Sequence, residues 1–418
     1  MKHRVASSSM APTWFGPHLT ATCSHCGQSS PVVHEAYDPA VPTRCFSCGA
    51  LCICKNDLQA GEVIEVVRRD ANHPLKRFDV VAYGTHDEDE FSQSLKRVWA
   101  LPGERIELRE GKAWINGTPL QKSAQELASV CLPLSRFPLD VRSHWWVADA
   151  SHIEPIRIEV AANQSYFELK PNQRLEFRYV RPNRHPEMSS MLPSPIVDDF
   201  PFNQNSIAQF HEVPSYLLAL ELVRPGLTPW FVHMRSQGKQ FRLCVGSNSR
   251  VTGEQAKPTS AEIDGTNRLL IAVCDDRLLA ATEKRDSAWN LVDLEADSDP
   301  ENAKLDSLIT ITTSEPLRIK RLLIARDQWL GPRESRLTKW ELTGNEAEIA
   351  EANASGYFVL GDNLRLSLDS RETTVGRIAV DRITGLVKRL EDSPEWILSL
   401  LDHAFRAVDR HQNHYRHE

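Results

Sequence analysis

The stretch that decides the fold is Ser94-Leu95-Lys96-Arg97-Val98-Trp99-Ala100-Leu101-Pro102-Gly103-Glu104. Its first seven residues carry the large apolar side chains of a buried β-strand, and the Pro-Gly pair predicts a turn directly after it. A lysine, Lys96, lies within this apolar strand. Burial there would disfavour the charged form of its amine and make the amine a better base.

The segments on either side of this strand also have β patterns. Residues 62–67 and 78–83 alternate as half-buried strands do, and residues 105–108 and 112–115 predict a hairpin around Glu110-Gly111, with another turn at Asn116-Gly117. Many short β candidates follow between residues 121 and 325, separated by Pro, Asn and Gly. They are Ile156–Val160, Leu175–Val180, Tyr216–Val223, Trp230–Met234, Phe241–Val245, Leu269–Val273, Leu308–Thr312 and Leu317–Ile324. We therefore expect a mainly β protein with an inserted β-sandwich.

Composition excludes several classes of protein. The chain has 418 residues, enough for roughly three domains, and its 49 basic and 56 acidic side chains leave a net charge of -7. This balance argues against nucleic-acid binding, which usually needs a basic excess. Apolar residues at 41% exclude a disordered chain, and no apolar run is long enough for a membrane-spanning helix.

Two cysteine pairs predict a metal site. Cys23-Ser-His-Cys26-Gly and Cys45-Phe-Ser-Cys48-Gly have the spacing of zinc-ribbon knuckles, which bind a structural Zn²⁺ through four thiolates. The alternative is a pair of disulfides, which an oxidising compartment would allow. Cys52 and Cys54 lie in the apolar stretch 51–54, where they are either extra ligands or, as we expect, small core residues. Cys131, Cys244 and Cys274 are isolated in apolar runs, and we expect them to be buried.

Two apolar features could contact either protein or lipid. The tail has an N-cap and a proline at Asp392-Ser393-Pro394, and then apolar residues at helical spacing, so it predicts a C-terminal amphipathic helix within residues 391–418. We interpret this helix as packing on the protein's own surface. Trp14 and Phe15 are interpreted in the same way, as core or inter-domain residues. The histidines of the tail are expected to be solvated.

Three distant segments combine into a catalytic pattern. They are Ser7-Ser-Ser9-Met10-Ala-Pro12-Thr13, the lysine segment 94–104, and Gly361-Asp-Asn363-Leu-Arg-Leu-Ser367-Leu-Asp369-Ser-Arg371. Together and in this order they resemble the three sequence boxes of the type I signal peptidases, a family of serine–lysine peptidases. The layout with insertions is similar to planctomycete-type members of that family.

The resemblance implies a role for each box. A serine hydroxyl is a weak nucleophile that needs a base, and a neutral lysine can be that base. Ser9 is then the nucleophile and Lys96 the general base. By resemblance, Ser7 and the Ser9 backbone N–H bind the oxyanion, Ser367 orients the lysine through a hydrogen bond, and Asp369 with Arg371 forms a supporting ion pair. No cofactor is expected to take part in catalysis.

Departures from the family pattern define the domain organisation. The catalytic domain is expected to comprise residues 1–16, 55–120 and 326–390, interrupted by the zinc ribbon 17–54 and the sandwich 121–325. The loop after Arg371 is about two residues longer than the family's, and Ala379 replaces a usual proline.

The resemblance also implies substrates and a location. We expect removal of signal peptides from exported preproteins with small residues before the cleaved bond, at a membrane surface, with the catalytic domain extracytoplasmic. Such peptidases usually carry a membrane anchor before the nucleophile box, so we expect an upstream segment. The alternative is a catalytically inactive scaffold that binds a peptide, a glycan or a partner protein through its inserted domains.

Overall fold

The fold consists almost entirely of antiparallel strands. The computed structural model describes residues 1–24, 29–44, 51–68, 74–87, 90–137, 145–148, 153–155, 166–179, 194–200, 202–204, 210–224, 228–245, 267–282, 285–291, 307–331, 356–372 and 374–389. The elements in chain order are β1 (Lys2–Arg4), β2 (His18–Cys23), β3 (Ser29–Val33), β4 (Thr43–Arg44), β5 (Leu51–Gln59), β6 (Val63–Arg68), β7 (Val80–Asp87), β8 (Glu90–Ala100), β9 (Ile106–Arg109), β10 (Lys112–Ile115), β11 (Thr118–Pro119), α1 (Ala124–Val130), β12 (Leu132–Phe137), β13 (Trp145–Ala148), β14 (Ile153–Pro155), β15 (Phe167–Leu169), β16 (Arg174–Phe177), β17 (Tyr216–Leu222), β18 (Trp230–Ser236), β19 (Lys239–Val245), β20 (Arg268–Cys274), β21 (Arg277–Thr282), β22 (Arg285–Leu291), β23 (Ile309–Thr313), β24 (Leu317–Arg326), β25 (Gly356–Leu360), β26 (Ile378–Ala379) and β27 (Ile383–Arg389).

One sheet joins distant parts of the chain, and we call it the site sheet. Its strand order is β1-β6-β27-β7-β8-β25-β26. It therefore combines the N-terminal segment, residues 63–100 and residues 356–389. The predicted strands β7 and β8 are present but longer than expected, because they continue into a paired extension that ends at Asp87 and Glu90.

A small hairpin sheet follows the site sheet. Strands β9, β10 and β11 pair as predicted, with turns at Glu110-Gly111 and Asn116-Gly117. All four turn residues have positive φ, between 50° and 78°. Tight hairpin turns require this backbone, which explains the Gly and Asn at these positions.

The segment between residues 121 and 326 contains two further sheets. The first sandwich sheet has the order β12-β24-β17-β20-β21-β22, with β15 beside β24, and the second has the order β14-β13-β16-β23-β18-β19. Their facing side chains form one hydrophobic core that includes Phe177, Leu218 and Ile311. This arrangement has the two packed layers of a β-sandwich.

Helix α1 was not expected from the sequence. It packs on the other face of the first sandwich sheet, where Leu127 meets Leu217 and Leu270. All seven residues of β17 are buried as a result. The sequence does contain a helix-start signal here. Ser123 and Glu126 form a capping box, in which the Ser123 side chain accepts a hydrogen bond from the Glu126 N–H.

A fourth group of strands, β2 to β5, forms the four-stranded sheet β3-β2-β5-β4 within the expected ribbon. Cys23 ends β2 directly opposite Cys52 of β5. The other three predicted zinc ligands, Cys26, Cys45 and Cys48, lie outside the described residues, as do the predicted strand Ile156–Val160 and the C-terminal helix.

The tryptophan, phenylalanine and cysteine side chains that were expected to be buried differ in their exposure. Trp14 and Phe15 are buried at 7% and 8% exposure, which confirms that they pack within the protein. Cys274 is fully buried and Cys131 packs against the same core cluster, but Cys244 is only half-buried, so that expectation was wrong for Cys244. Cys244 lies between the buried Leu243 and Val245 on β19, and alternate strand residues point to opposite faces. Cys52 and Cys54 are also half-buried, at the edge of a small core around Leu19.

No helix in the described ranges has the length and apolar character needed to cross a membrane.

Candidate active site

The segment with Ser9 is a compact turn anchored on both sides. Val5 N donates to Glu62 O at 2.8 Å, and Glu62 N donates to Phe15 O at 2.9 Å. Met10 and Trp14 insert into a hydrophobic cluster with Ile64. The anchors hold Ser9 at the half-buried side of the turn, next to the site sheet.

Lys96 reaches Ser9 from the centre of the site sheet. It lies on β8 opposite Val81 of β7, and its side chain is 4% exposed. Its Nζ donates to Ser9 Oγ at 3.0 Å and to Leu95 O at 3.0 Å. The structure thus brings the two residues within hydrogen-bonding distance.

The surroundings of Lys96 favour its neutral form. Burial lowers the pKa of the amine to about 8, and the nearby Arg371 acts in the same direction. The carboxylates of Asp369 and Asp362 oppose the shift without cancelling it. An amine with this pKa can accept a proton near neutral or mildly alkaline pH.

The Ser7 side chain lies next to the Ser9 hydroxyl, two positions earlier in the chain. It is exposed, and its Oγ donates to Ser9 Oγ at 3.3 Å. Its hydroxyl therefore lies beside the Ser9 hydroxyl and can donate a hydrogen bond there.

A buried ion pair joins the lysine strand to the third segment. Arg97 donates from Nε and Nη2 to the two carboxylate oxygens of Asp362, at 2.7 and 2.5 Å. Thr13 Oγ1 donates to the same carboxylate, so Asp362 connects the nucleophile turn to β8. Arg97 and Asp362 are 4% and 1% exposed, and we interpret them as scaffold.

Asp369 and Arg371 form a second buried ion pair. Arg371 donates from Nε at 2.8 Å and from Nη2 at 3.0 Å, and Gly361 N donates to the same carboxylate at 3.1 Å. Burial alone would raise the pKa of Asp369, but the charge and hydrogen bonds of Arg371 outweigh it and hold that pKa below its usual value. Asp369 is therefore charged, as the expected ion pair requires.

The expected hydrogen bond between Ser367 and Lys96 is not observed. Ser367 is fully buried, and its Oγ lies beside the Asp369 carboxylate, whose pKa it helps to lower. The hydroxyl instead packs over Gly361, where a Cβ would lie 2.2 Å from Ser367 Oγ. Lys96 donates to Ser9 and Leu95 in this structure, so the orienting role of Ser367 stays a prediction.

The lengthened loop after Arg371 closes as a short turn. Val375 N and Gly376 N both donate to Glu372 O, at 3.0 and 2.9 Å. Gly376 has φ 55°, which suits glycine, and the chain then enters β26.

Three residues at the site were missed by sequence reasoning. Asn363 N donates to Ser9 O at 3.0 Å, and its Nδ2 donates to Ser8 O at 3.1 Å. Glu35 accepts from Ser8 N at 3.2 Å, and Asn203 bonds to Asn363. Asn363 stands within the quoted third segment, but nothing in the local sequence marks Glu35 or Asn203.

Cys23 is the one predicted zinc ligand within the described part of the chain. Cys23 is 1% exposed at the end of β2, and the described cysteines form no disulfides with one another. A buried thiol at a strand end fits a knuckle ligand. No cluster of three or more metal-binding side chains occurs within the described ranges, which lack the other three ligands.

Comparison with known proteins adds a family similarity. Residues 53–130 match the family model described as signal peptidase, peptidase S26. No curated protein matches the chain. The matched range includes Lys96 but neither Ser9 nor the third segment. Over that range the chain is similar to the signal peptidases, a family of peptidases.

Proposed function

We propose that this protein is a serine endopeptidase that removes N-terminal signal peptides, with Ser9 as the nucleophile and Lys96 as the general base. The observation that carries the proposal is the 3.0 Å hydrogen bond between the Lys96 amine and Ser9 Oγ. The lysine is buried and its pKa is lowered to about 8, as a base requires. The family similarity of residues 53–130 supports the peptidase class.

In the first step, neutral Lys96 accepts the proton of the Ser9 hydroxyl while Ser9 Oγ attacks the carbonyl carbon of the scissile bond. A tetrahedral intermediate forms, and its oxygen carries the negative charge. We assign the Ser9 backbone N–H and the Ser7 hydroxyl as its donors, since such donors stabilise the developing charge. The 3.3 Å spacing between Ser7 Oγ and Ser9 Oγ supports this role for Ser7.

In the second step, the C–N bond breaks. The Lys96 ammonium gives its proton to the leaving amine, and the cleaved signal peptide remains as an ester on Ser9. Water then attacks this ester while Lys96 accepts a proton from the water. The bond between the acyl carbon and Ser9 Oγ breaks, Lys96 returns the proton to Ser9 Oγ, and the signal peptide leaves with a free carboxylate. One lysine therefore transfers protons in both halves of the reaction.

The two buried ion pairs have supporting roles in this proposal. The Asp369–Arg371 pair holds the third segment beside Lys96, and the Arg97–Asp362 pair holds the nucleophile turn through Thr13. Ser367 fills the space over Gly361, and it remains a candidate partner for Lys96 when substrate changes the site.

The substrates we propose are exported preproteins with small residues before the cleaved bond, as in Ala-x-Ala. The proposed place of action is the membrane surface, with the catalytic domain extracytoplasmic. These proposals rest on the resemblance of the three sequence boxes.

We also propose the domain division and the metal that the sequence predicts. The site sheet draws strands from residues 1–16, 55–120 and 326–390, which supports one catalytic domain interrupted by the segments 17–54 and 121–325. Cys23, Cys26, Cys45 and Cys48 would bind one structural Zn²⁺ in the ribbon. Metal analysis of the purified protein should find about one zinc per chain. A zinc-free protein with disulfides at these cysteines would contradict the proposal.

The decisive experiment follows processing of an Ala-x-Ala preprotein on a gel. Ser9→Ala and Lys96→Ala should each abolish cleavage, because each removes a group that takes part in bond making. Ser129→Ala and Lys388→Ala, which change an exposed serine and an exposed lysine, serve as matched controls and should cleave normally. Undiminished cleavage by Ser9→Ala or Lys96→Ala would contradict the dyad. An inactive unmodified protein would favour the binding scaffold.

A further inference from the structure

One loop of the inserted segment reaches the nucleophile turn. Residues 202–204 lie between β16 and β17, far in sequence from the three catalytic segments, yet Asn203 is only 4% exposed. Its side chain faces Asn363, which is completely buried. The inserted segment thus contributes a polar side chain to the interior of the candidate site.

The two asparagines form a reciprocal pair of hydrogen bonds. Asn203 Nδ2 donates to Asn363 Oδ1 at 2.7 Å, and Asn363 Nδ2 donates to Asn203 Oδ1 at 3.0 Å. The Ser8 carbonyl determines which way the two amide groups face, because Ser8 O can only accept a hydrogen bond. Asn363 must therefore present its NH₂ group to Ser8 O, and its carbonyl oxygen then points to Asn203.

Asn363 holds the two peptide links on either side of the Ser9 Cα. Its side chain donates to Ser8 O at 3.1 Å, and its backbone N–H donates to Ser9 O at 3.0 Å. A rotation of the Asn363 amide would place its oxygen against Ser8 O, where two acceptors repel. The pairing with Asn203 opposes that rotation, because it satisfies both ends of the amide at once.

The loop with Asn203 is itself fixed by the ribbon. Phe202 O accepts from Val33 N at 3.0 Å, and Asp38 N donates to Gln204 Oε1 at 2.7 Å. Gln204 Nε2 also donates to Thr43 Oγ1 at 2.9 Å. Asn203 therefore points to Asn363, while the neighbouring Gln204 bonds to the ribbon.

We propose that Asn203 is a positioning residue for the nucleophile, acting through Asn363 on the backbone of Ser8 and Ser9. The inserted segment is then part of the active site and not only an appended binding domain or spacer. This inference rests on the proposed function, and it concerns the rate of the chemical step more than substrate binding.

The test compares Asn203→Ala, Asn203→Asp and the control Asn267→Ala in the full chain, with kcat and KM measured on an Ala-x-Ala substrate. Loss of the pair should lower kcat about 10- to 100-fold in Asn203→Ala, with a smaller change in KM, since buried polar groups are left unpaired. Asn267→Ala, which removes an exposed asparagine of the same inserted segment, should keep the kcat of the unmodified protein.

The aspartate variant gives a readout that a general loss of structure would not produce. Its carboxylate repels Asn363 Oδ1, whereas its protonated form can donate to that oxygen and accept from Asn363 Nδ2, as the asparagine does. Because burial raises the pKa of a carboxyl, the carboxyl of the Asn203→Asp variant should become protonated as the pH falls. The kcat deficit of this variant should therefore shrink as the pH falls from about 9 to about 6. The deficit of Asn203→Ala should stay constant, since Lys96 titrates in both proteins and cancels from the ratio.

The outcomes separate this inference from the proposed function. If the unmodified protein cleaves and Asn203→Ala keeps its kcat, the positioning role is wrong while the peptidase stands. If the kcat deficits of Asn203→Asp and Asn203→Ala changed equally with pH, the positioning role would also be wrong. If the unmodified protein does not cleave at all, the proposed function fails first.

Discussion

The Lys96 amine donates a 3.0 Å hydrogen bond to Ser9 Oγ across 87 positions of sequence. The site sheet makes this contact, since β1 leads into the Ser9 turn and β8 carries Lys96 through the centre of the same sheet. Strand pairing places β8 between β7 and β25, so apolar neighbours surround the lysine and water is largely excluded. The contact and the burial together give the pair its chemical properties.

The pH profile should report the lowered pKa of Lys96. Because only the neutral amine accepts a proton, kcat/KM should rise about tenfold per pH unit on the acidic side and level off above the pKa. Since burial lowers that pKa to about 8, the acidic limb should end near this pH. A steady-state profile on a peptide substrate provides the measurement. An acidic limb that continues to the pKa of an ordinary lysine would be inconsistent with the buried base.

Lys96→Arg should abolish activity although it preserves the positive charge. A guanidinium keeps its proton at every pH a protein tolerates, so it cannot serve as the base. Single-turnover cleavage should fall to the level of Ser9→Ala. Lys388→Arg is the matched control on an exposed lysine and should retain full activity. Measurable cleavage by Lys96→Arg that titrates as in the unmodified protein would rule out Lys96 as base.

Asp369→Ala should destabilise the protein strongly. Removing Asp369 leaves the buried Arg371 guanidinium without its carboxylate, and breaking such a pair costs roughly 3–5 kcal/mol in the free energy of unfolding. The exposed pair between Lys239 and Asp276 offers the comparison, since Lys239→Ala should cost less than about 1 kcal/mol. Urea titrations of both variants measure the difference. Equal costs would mean that the Asp369 pair is solvated.

Gly361→Ala should damage the site directly. An added Cβ would lie 2.2 Å from Ser367 Oγ and 2.5 Å from Ser9 O, so the nucleophile turn must shift. We expect kcat to fall about tenfold or more, since small displacements of reacting groups are costly. Gly238→Ala is the control: its hairpin position has φ 77° but open space around it, so it should lose stability without losing kcat. Normal turnover by Gly361→Ala would show that the turn adapts.

Most of the strand pattern could be predicted from the sequence. The strands β17, β18, β19, β20 and β24 lie close to their predicted ranges, and the turns at Glu110-Gly111 and Asn116-Gly117 have the expected positive φ. These features are local, because a strand's apolar alternation and a turn's need for Gly or Asn are encoded within a few residues. Helix α1 was also locally encoded, by Ser123 and Glu126, and its signal was overlooked.

The sequence by itself determined which residue types were available for chemistry: a serine, a lysine in an apolar strand, and a distant segment rich in Asp, Asn and Arg. Only the tertiary structure decided which of them meet. It placed Lys96 on Ser9 and Leu95 instead of Ser367, and it brought Asn203 to Asn363 across 160 positions. Such contacts depend on strand register, bulges and the packing of separate sheets, where a shift of one residue reverses the direction of every side chain along a strand. For that reason an inserted segment that looked separate in the sequence supplies a side chain to the nucleophile turn.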